Sequence, residues 1–523
     1  MDLTKEVELN GLKAETDIAA EKEDEEDECS PLQNADEEKG IEKVKKKLSL
    51  MDRLRNIKAN TTVEPIMACY VMPSVLSSLA VQNLNLEKAC LVNLNFSEEI
   101  CEALKLRETE NYTNYEKDVQ TLIAGVQAWK NMIQTAIPVL LILFVGAWSD
   151  KTGRRKACIL MPIVGEFLTC IGFIVNTYYF YELPVEVAAL TESIFPAITG
   201  GWFTNFIGVF SYISDITTKE DRTHRVGIVN LCMTLGYPIG SALSGILLRW
   251  IGYYGVFLIS GSLYLFCLIY GYICLDDPKR KIREKKERSA ILNFIKEFFD
   301  VALVLDTFRI AFQKGVGNRR LRVSLLLIVV CVVFGPLHGE ITITYLFTRF
   351  RFNWDEVQFS IWSTYCIVTN FIGTALSMSL FSSYMKLDDT LLGIISCTSK
   401  VIASFAYAFA RNDLEIYLAP LLEILNGTSF IAMRSIASKL VSGEEFGKVN
   451  SLFGLAEAMM PLVYGPLYSQ VYTATLDLLP GAVFLLGALL TLPAIGIFGW
   501  LYFEQKKDEI REHSKADAVV EKQ

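Results

Sequence analysis

Histidine is almost missing from this chain, with three in 523 residues. So few leave little from which to build a zinc cluster or a histidine-activated nucleophile, and no other constellation of that kind stands in for them. No G-x-x-x-x-G-K-[S/T] phosphate loop occurs, which argues against ATP-driven work. The twelve cysteines contain no C-x-x-C pair and no zinc spacing. Charge is also scarce, at 21% of residues against about 25% in soluble domains. What is abundant is apolar: 51% of residues, with a mean hydropathy of +0.31. The excess collects in long blocks such as 134–147 and 479–503, too many for one water-soluble core. A soluble enzyme, a disordered regulator and a disulfide-framework secreted domain are excluded, and a polytopic membrane protein remains.

The net charge of −9 is local. Residues 1–40 hold fifteen acidic and four basic residues, so the rest of the chain is slightly positive. This head, within a disordered tail of 1–60, lacks the basic start and apolar core of a signal peptide. About 20 apolar residues cross the hydrocarbon layer. Twelve such stretches occur, at 63–82, 121–147, 157–179, 186–212, 225–248, 252–275, 321–347, 357–384, 389–410, 413–433, 449–472 and 479–503. Lys and Arg crowd the connections that face one side, for example Lys151, Arg154, Arg155 and Lys156, or the run from Lys279 to Arg288. By the positive-inside rule that side is the cytosol, and both termini face it. The 83–120 connection is then outside. It carries the glycosylation sequons at Asn95 and Asn111, and Cys90 and Cys101 in it could close a local disulfide.

The basic 276–320 loop separates six spans (61–275) from six (321–503), with a tail at 504–523. Residues 291–312 within that loop read as an amphipathic helix on the inner membrane surface. Arg225 and Pro238 recur at Lys448 and Pro461 with an offset of 223 residues, as in a parallel-repeat transporter.

One motif carries a mechanism. In 146-GAWSDKTGRRKA-157, Gly146 permits close helix approach, Asp150 ends the second span, Gly153 permits a tight turn, and Arg154 and Arg155 follow. Such a segment can latch helix ends by ion pairs and release them as the helices rock. The pattern resembles the cytosolic signature of the major facilitator superfamily. Within it the chain is similar to solute carrier family 46, through Glu64-Pro65, 148-WSDKTGRRK-156, 211-SYISDITTKEDRTHR-225, 433-MRSIASKLVSGEEFGKVNSLFG-454 and 467-LYSQVYTATLDLLPGAVFLLGA-488. The resemblance implies an all-α integral membrane fold of twelve helices in two six-helix bundles. It implies a non-enzymatic transporter that moves an organic anion, folate-like or muropeptide-like, by proton-coupled alternating access.

Ionisable groups inside a span are expensive and mark function. In a facilitator fold, spans one, four, seven and ten line the cavity, which singles out Glu64, Glu192, His338, Glu340, Glu423 and Arg434. Arg434 is the expected grip on the anion, with Glu192, Asn205 and Glu423 as further substrate contacts; the alternative for Arg434 is an anchor paired to Asp150 or Glu444. Glu423 and Arg434, eleven residues apart, would share one helical face about 16 Å apart. Glu340, His338 and Glu192 are proton-site candidates, whereas Glu166, Lys130, Lys400 and Glu457 read as interhelical pairs. The family's span-five carboxylate falls here on Asn230, which cannot titrate. The expected partners are a small organic anion, protons and lipid, with no nucleic acid, cofactor or metal, and a monomer in the plasma membrane or the lysosome. The alternative is a receptor or scaffold that keeps the fold without transport.

Overall fold

A computed structural model describes residues 62–217, 219–276, 318–385, 387–441 and 443–520. The expected surface helix at 291–312 lies outside them. Among the described residues every element is helical. In chain order these are α1 (Glu64–Lys88), α2 (Glu98–Lys105), α3 (Thr113–Thr152), α4 (Arg155–Tyr178), α5 (Val185–Thr199), α6 (Gly201–Ile216), α7 (Lys219–Cys274), α8 (Arg319–Phe352), α9 (Glu356–Ser377), α10 (Asp389–Phe409), α11 (Asp413–Leu422), α12 (Thr428–Leu440), α13 (Gly443–Thr475) and α14 (Ala482–Val520).

Seven helical stretches are long and apolar enough to cross a membrane. One of them, Arg225–Cys274, is 50 residues long. Non-helical Gly252 (φ 66°) cuts α7 where spans five and six were expected to part. The remaining expected spans coincide with α3, with α13 and with two broken helices, α5–α6 and α11–α12. Leu140, Ile198, Leu258, Phe371 and Leu489 are exposed. Apolar groups on the outside of a helical assembly are what a lipid surround requires.

Local chemistry sets several ends. Asp355 caps α9 in a reciprocal box with Gln358, and Asn412 caps α11 through the Glu415 amide. Gly153, at φ 72°, ends α3 in the left-handed region that glycine adopts without a Cβ penalty.

The first connection is shorter than 83–120. α1 continues to Lys88, a π turn carries it to Asn93, and α3 starts at Thr113. Its polar residues misled because they are buried with partners. Asn83 bonds the Leu79 carbonyl and accepts from the Tyr345 hydroxyl, and Lys88 donates to the Phe180 and Leu183 carbonyls at 2.8 Å each. What remains, 94–112, is tied by the Cys90–Cys101 disulfide, with Cα atoms 5.9 Å apart. Asn95 and Asn111 are exposed on it.

Bonds between residues 62–276 and 318–520 crowd at this loop face. Tyr345 reaches Asn83 at 2.7 Å, Tyr472 reaches Gln120 at 2.6 Å, and Lys117 pairs with Asp477. A continuous buried cluster runs across the same face from Leu86 and Leu104 to Phe347 and Tyr472. At the opposite face, which carries the 146–157 motif, the pairs seen among the described residues stay within one half. They include Arg155–Asp215, Arg225–Glu64, Lys439–Asp389, Arg322–Glu504 and Lys506–Asp388. The halves are sealed together at the loop face.

Candidate functional site

Two spans break where a continuous helix was expected. After Pro196, Gly200 (φ 93°) and Gly201 (φ 60°) divide α5 from α6. After Pro420, α11 stops at Leu422 and α12 begins at Thr428. Orphan carbonyls at this depth need partners. Ser399 of α10 donates to the Leu422 carbonyl at 2.5 Å, and Ser396 reaches those of Leu425 and Asn426 at 2.8 Å. Broken helices at corresponding places in two halves point to a binding site between them.

The second break opens on a cavity of about 580 Å³, lined by Glu340, Trp362, Asn370, Tyr407, Glu423 and Phe430, with Tyr237 from the other half. On its wall lies an ionic triad. The Lys400 ammonium on α10 sits 2.6 Å from Glu340 Oε2 on α8 and 2.9 Å from Glu423 Oε1 at the break. Asn426 also donates to Glu423 Oε1 at 2.9 Å. Lys400 is 4% exposed and Glu340 7%. Charges this deep persist only when paired. With one cation for two carboxylates, the triad is one negative charge in excess.

The first half holds a looser version. Lys130 of α3 sits 2.7 Å from Glu192 Oε1 on α5, while Glu166 of α4 makes no hydrogen bond or ion pair among the described residues. Glu192 thus reaches a lysine, and Glu166 stands outside the pairing expected of it.

Other expectations need correction. Asn205 is fully buried, its Nδ2 donates to the Ile159 carbonyl at 2.8 Å, and its Oδ1 has no hydrogen-bond partner. Glu64 is buried against Arg225 at 3.1 Å instead of lining a cavity. Glu423 and Arg434 share no helical face, because the break intervenes. Arg434 Nη2 donates to both Glu457 oxygens at 2.7 and 2.9 Å, whereas the side chains of Asp150 and Glu444, its expected alternatives, lie outside the described residues. Its side chain stays 45% exposed. It lies one turn from the cavity-lining Phe430, on the same face of α12. His338 is half-buried and its ring makes no hydrogen bond among the described residues.

At the motif face Arg155 is buried, with Nε 2.8 Å from Asp215 Oδ2 and Nη1 donating to Ser149. Arg154 is exposed and Gly153 makes the turn. The side chain of Asp150 and the surroundings of Gly146 lie outside the described residues. At the start of α10, Lys439 and Ser435 hold Asp389, and Lys506 holds Asp388.

Sequence reasoning missed the loop-face cluster. Glu116 accepts from Arg349 Nε at 3.0 Å and from Arg107 at 3.5 Å, and Arg107 donates to the Arg349 carbonyl at 2.7 Å. Burial works against the Glu116 carboxylate, but the two guanidiniums outweigh it and hold its pKa below the usual range. Burial lowers that of Arg107 to about 10. Nothing local in the sequence joins residues 107, 116 and 349. A cavity of about 550 Å³ adjoins the cluster, but its charges are spent on each other, as in Lys105–Glu87 and Arg249–Asp355.

Comparison with known proteins agrees with this architecture. Residues 121–463 match the Major Facilitator Superfamily. The chain belongs to that superfamily. Its similarity to solute carrier family 46 extends over most of its length. It is 22% identical over 458 residues to a probable peptidoglycan muropeptide transporter SLC46 of Drosophila melanogaster, covering 85% of this chain and 86% of the other. It is 27% identical over 370 residues to the Mus musculus lysosomal proton-coupled steroid conjugate and bile acid symporter SLC46A3, covering 68% and 76%. A Rattus norvegicus proton-coupled folate transporter is 24% identical over 382 residues, covering 72% and 79%. Among solved structures, a bacterial homolog to human lysosomal transporter Spinster superposes with a TM-score of 0.52 at 10% identity, covering 86% of this chain and 98% of that one. The nucleoside transporter NupG gives 0.51 at 13%, covering 84% and 99%. This facilitator-superfamily protein is a multi-pass membrane transporter.

Proposed function

We propose that the protein moves an organic anion together with protons, without covalent chemistry. The observation that carries this is the Glu340–Lys400–Glu423 triad, whose unbalanced carboxylate borders the cavity at a broken helix. A buried triad one charge short of neutrality takes up one proton at little cost, and that proton prepares the site for a second anion. Arg434 supports the anionic choice: Glu457 engages only its Nη2, so the rest of the planar fork stays open to a carboxylate. Names of relatives narrow the trial substrates to folates, muropeptides, steroid conjugates and bile acids.

In this reading all twelve expected stretches cross the membrane and the loop face is lumenal or extracellular, with Asn95 and Asn111 glycosylated. The structure is then the inward-facing state, sealed outside by the Arg107–Glu116–Arg349 cluster. The 146–157 motif, through Gly146, Asp150, Gly153, Arg154 and Arg155, latches the cytosolic side when the cycle reverses. Uptake of labelled members of the four substrate classes into proteoliposomes, at about pH 5.5 and about pH 7.4, tests it. Acid-stimulated, saturable uptake of one class, lost in Arg434→Ala, is the expected result. Saturable binding with no flux favours a receptor that keeps the fold.

A further inference from the structure

Glu340 spends only one of its carboxylate oxygens on Lys400. The other, Oε1, is buried and has no hydrogen-bond partner, and the Tyr468 hydroxyl of α13 is in the same condition. The two atoms converge on one spot. A Cβ added to Gly487 of α14 would fall 2.3 Å from Glu340 Oε1 and 3.1 Å from the Tyr468 oxygen. The only side chain that leaves this space open is glycine's. Thr491, one turn on, gives its hydroxyl to the Gly487 carbonyl at 2.8 Å and supplies nothing to the spot.

Tyr468 is held there by packing. A Cβ on Gly339 would meet its ring at 2.3 Å, and one on Gly335 would meet the Tyr464 ring at 2.2 Å. Two glycines four apart on α8 thus receive two tyrosines four apart on α13. This close helix approach aims the phenol at the residue after Gly339, which is Glu340. The groups facing the carboxyl are Lys400 and Tyr407 from α10, Glu423 from the break and Tyr468 from α13. α14 contributes only the glycine, and His338 is the neighbour on α8 itself.

We infer that the space over Gly487, between Glu340 Oε1 and the Tyr468 hydroxyl, is the seat of the coupling proton. This rests on the proton-coupled reading above and specifies where that proton resides. A hydronium ion in the cavity water gives its proton to Glu340 Oε1 and leaves as water. The proton neutralises the triad, and the Tyr468 hydroxyl, which can accept from the neutral acid or donate to the carboxylate, faces that oxygen in either state. Release toward the other face reverses the transfer. Tyr468 and Gly487 are positioning residues: one partners the carboxyl, and the other keeps the space clear.

The test uses the full chain in lipid nanodiscs and proteoliposomes. Infrared difference spectra between about pH 5.5 and about pH 7.4 should show a protonated-carboxyl stretch that Glu340→Gln abolishes. Tyr468→Phe removes one oxygen and preserves the ring packing. It should move that band, and shift its midpoint and that of uptake by about one unit, the size of one hydrogen bond. Gly487→Ala should cut acid-stimulated uptake about tenfold. The absence of the band in the unmodified protein, or a band and midpoint that ignore Tyr468→Phe, overturns the inference. A band that titrates and responds to Tyr468→Phe in a protein without acid-stimulated uptake supports the seat and defeats the coupled-transport reading instead.

Discussion

The two halves of the chain use the same ingredients differently. Each places one lysine and two glutamates at membrane depth: Lys400, Glu340 and Glu423 in the second half, Lys130, Glu192 and Glu166 in the first. In the second half both carboxylates lie within 2.9 Å of the ammonium. In the first only Glu192 does, and its side chain is 22% exposed against 9% for Glu340. The difference follows from the helix breaks. The second break stops at Glu423 and turns that carboxyl toward Lys400, whereas Gly200 and Gly201 interrupt the first two turns beyond Glu192. A tight triad on a cavity wall suits a proton switch, and a looser, wetter pair suits anchoring.

That contrast can be broken by substitution. Lys400→Ala leaves two buried carboxylates without a cation. It should cost about 3–5 kcal/mol in detergent unfolding and abolish uptake; a change as small as that of Lys130→Ala would erase the distinction between the halves. Glu116→Ala at the loop face strands two buried guanidiniums and should approach the same stability loss, while reducing crosslinking between cysteines placed at 120 and 472, which that face holds together. Cys90→Ser removes a short-loop disulfide and should cost about 3 kcal/mol, read as a lower unfolding midpoint without altered pH dependence of uptake. Lys130→Ala should cost about 1 kcal/mol, as expected of a partly solvated pair.

The loop-face cluster also has a defined pH response. Glu116 has a folded pKa below its unfolded one, so its contribution is fully present above the unfolded value. It is lost only as pH falls through the folded value. Between about pH 5.5 and about pH 7.4, both above an ordinary glutamate pKa, the latch keeps its charge. Acidification over that range should leave the stability increment of Glu116, measured as the difference between the unmodified chain and Glu116→Gln, unchanged. A fall in that increment would make the latch itself an acid sensor.

Much of this was legible in the residues. Apolar runs located the long helices, and Gly153 with Arg154 and Arg155 marked the turn after α3. Lys130, Lys400 and Glu457 were readable as interhelical partners because a lone charge at membrane depth needs one. The limits were also physical. The α11–α12 break depends on Ser396 and Ser399, more than twenty residues earlier, so nothing local announced that Glu423 and Arg434 lie on different helices. Asn83 and Lys88 looked like loop residues because composition does not show the carbonyls and hydroxyls that hide them. The Arg107–Glu116–Arg349 cluster joins segments over two hundred residues apart, a distance at which spacing carries no signal.

In the proposed mechanism the second-half triad is the place where proton and anion movement are joined. The direct measurement is simultaneous recording of labelled anion and proton entry into proteoliposomes, comparing the unmodified chain with Glu340→Gln. The prediction is coupled entry of both in the former, and in the latter anion exchange that persists with no proton entry and no response to a pH gradient. Proton-coupled uptake that survives unchanged in Glu340→Gln would contradict it.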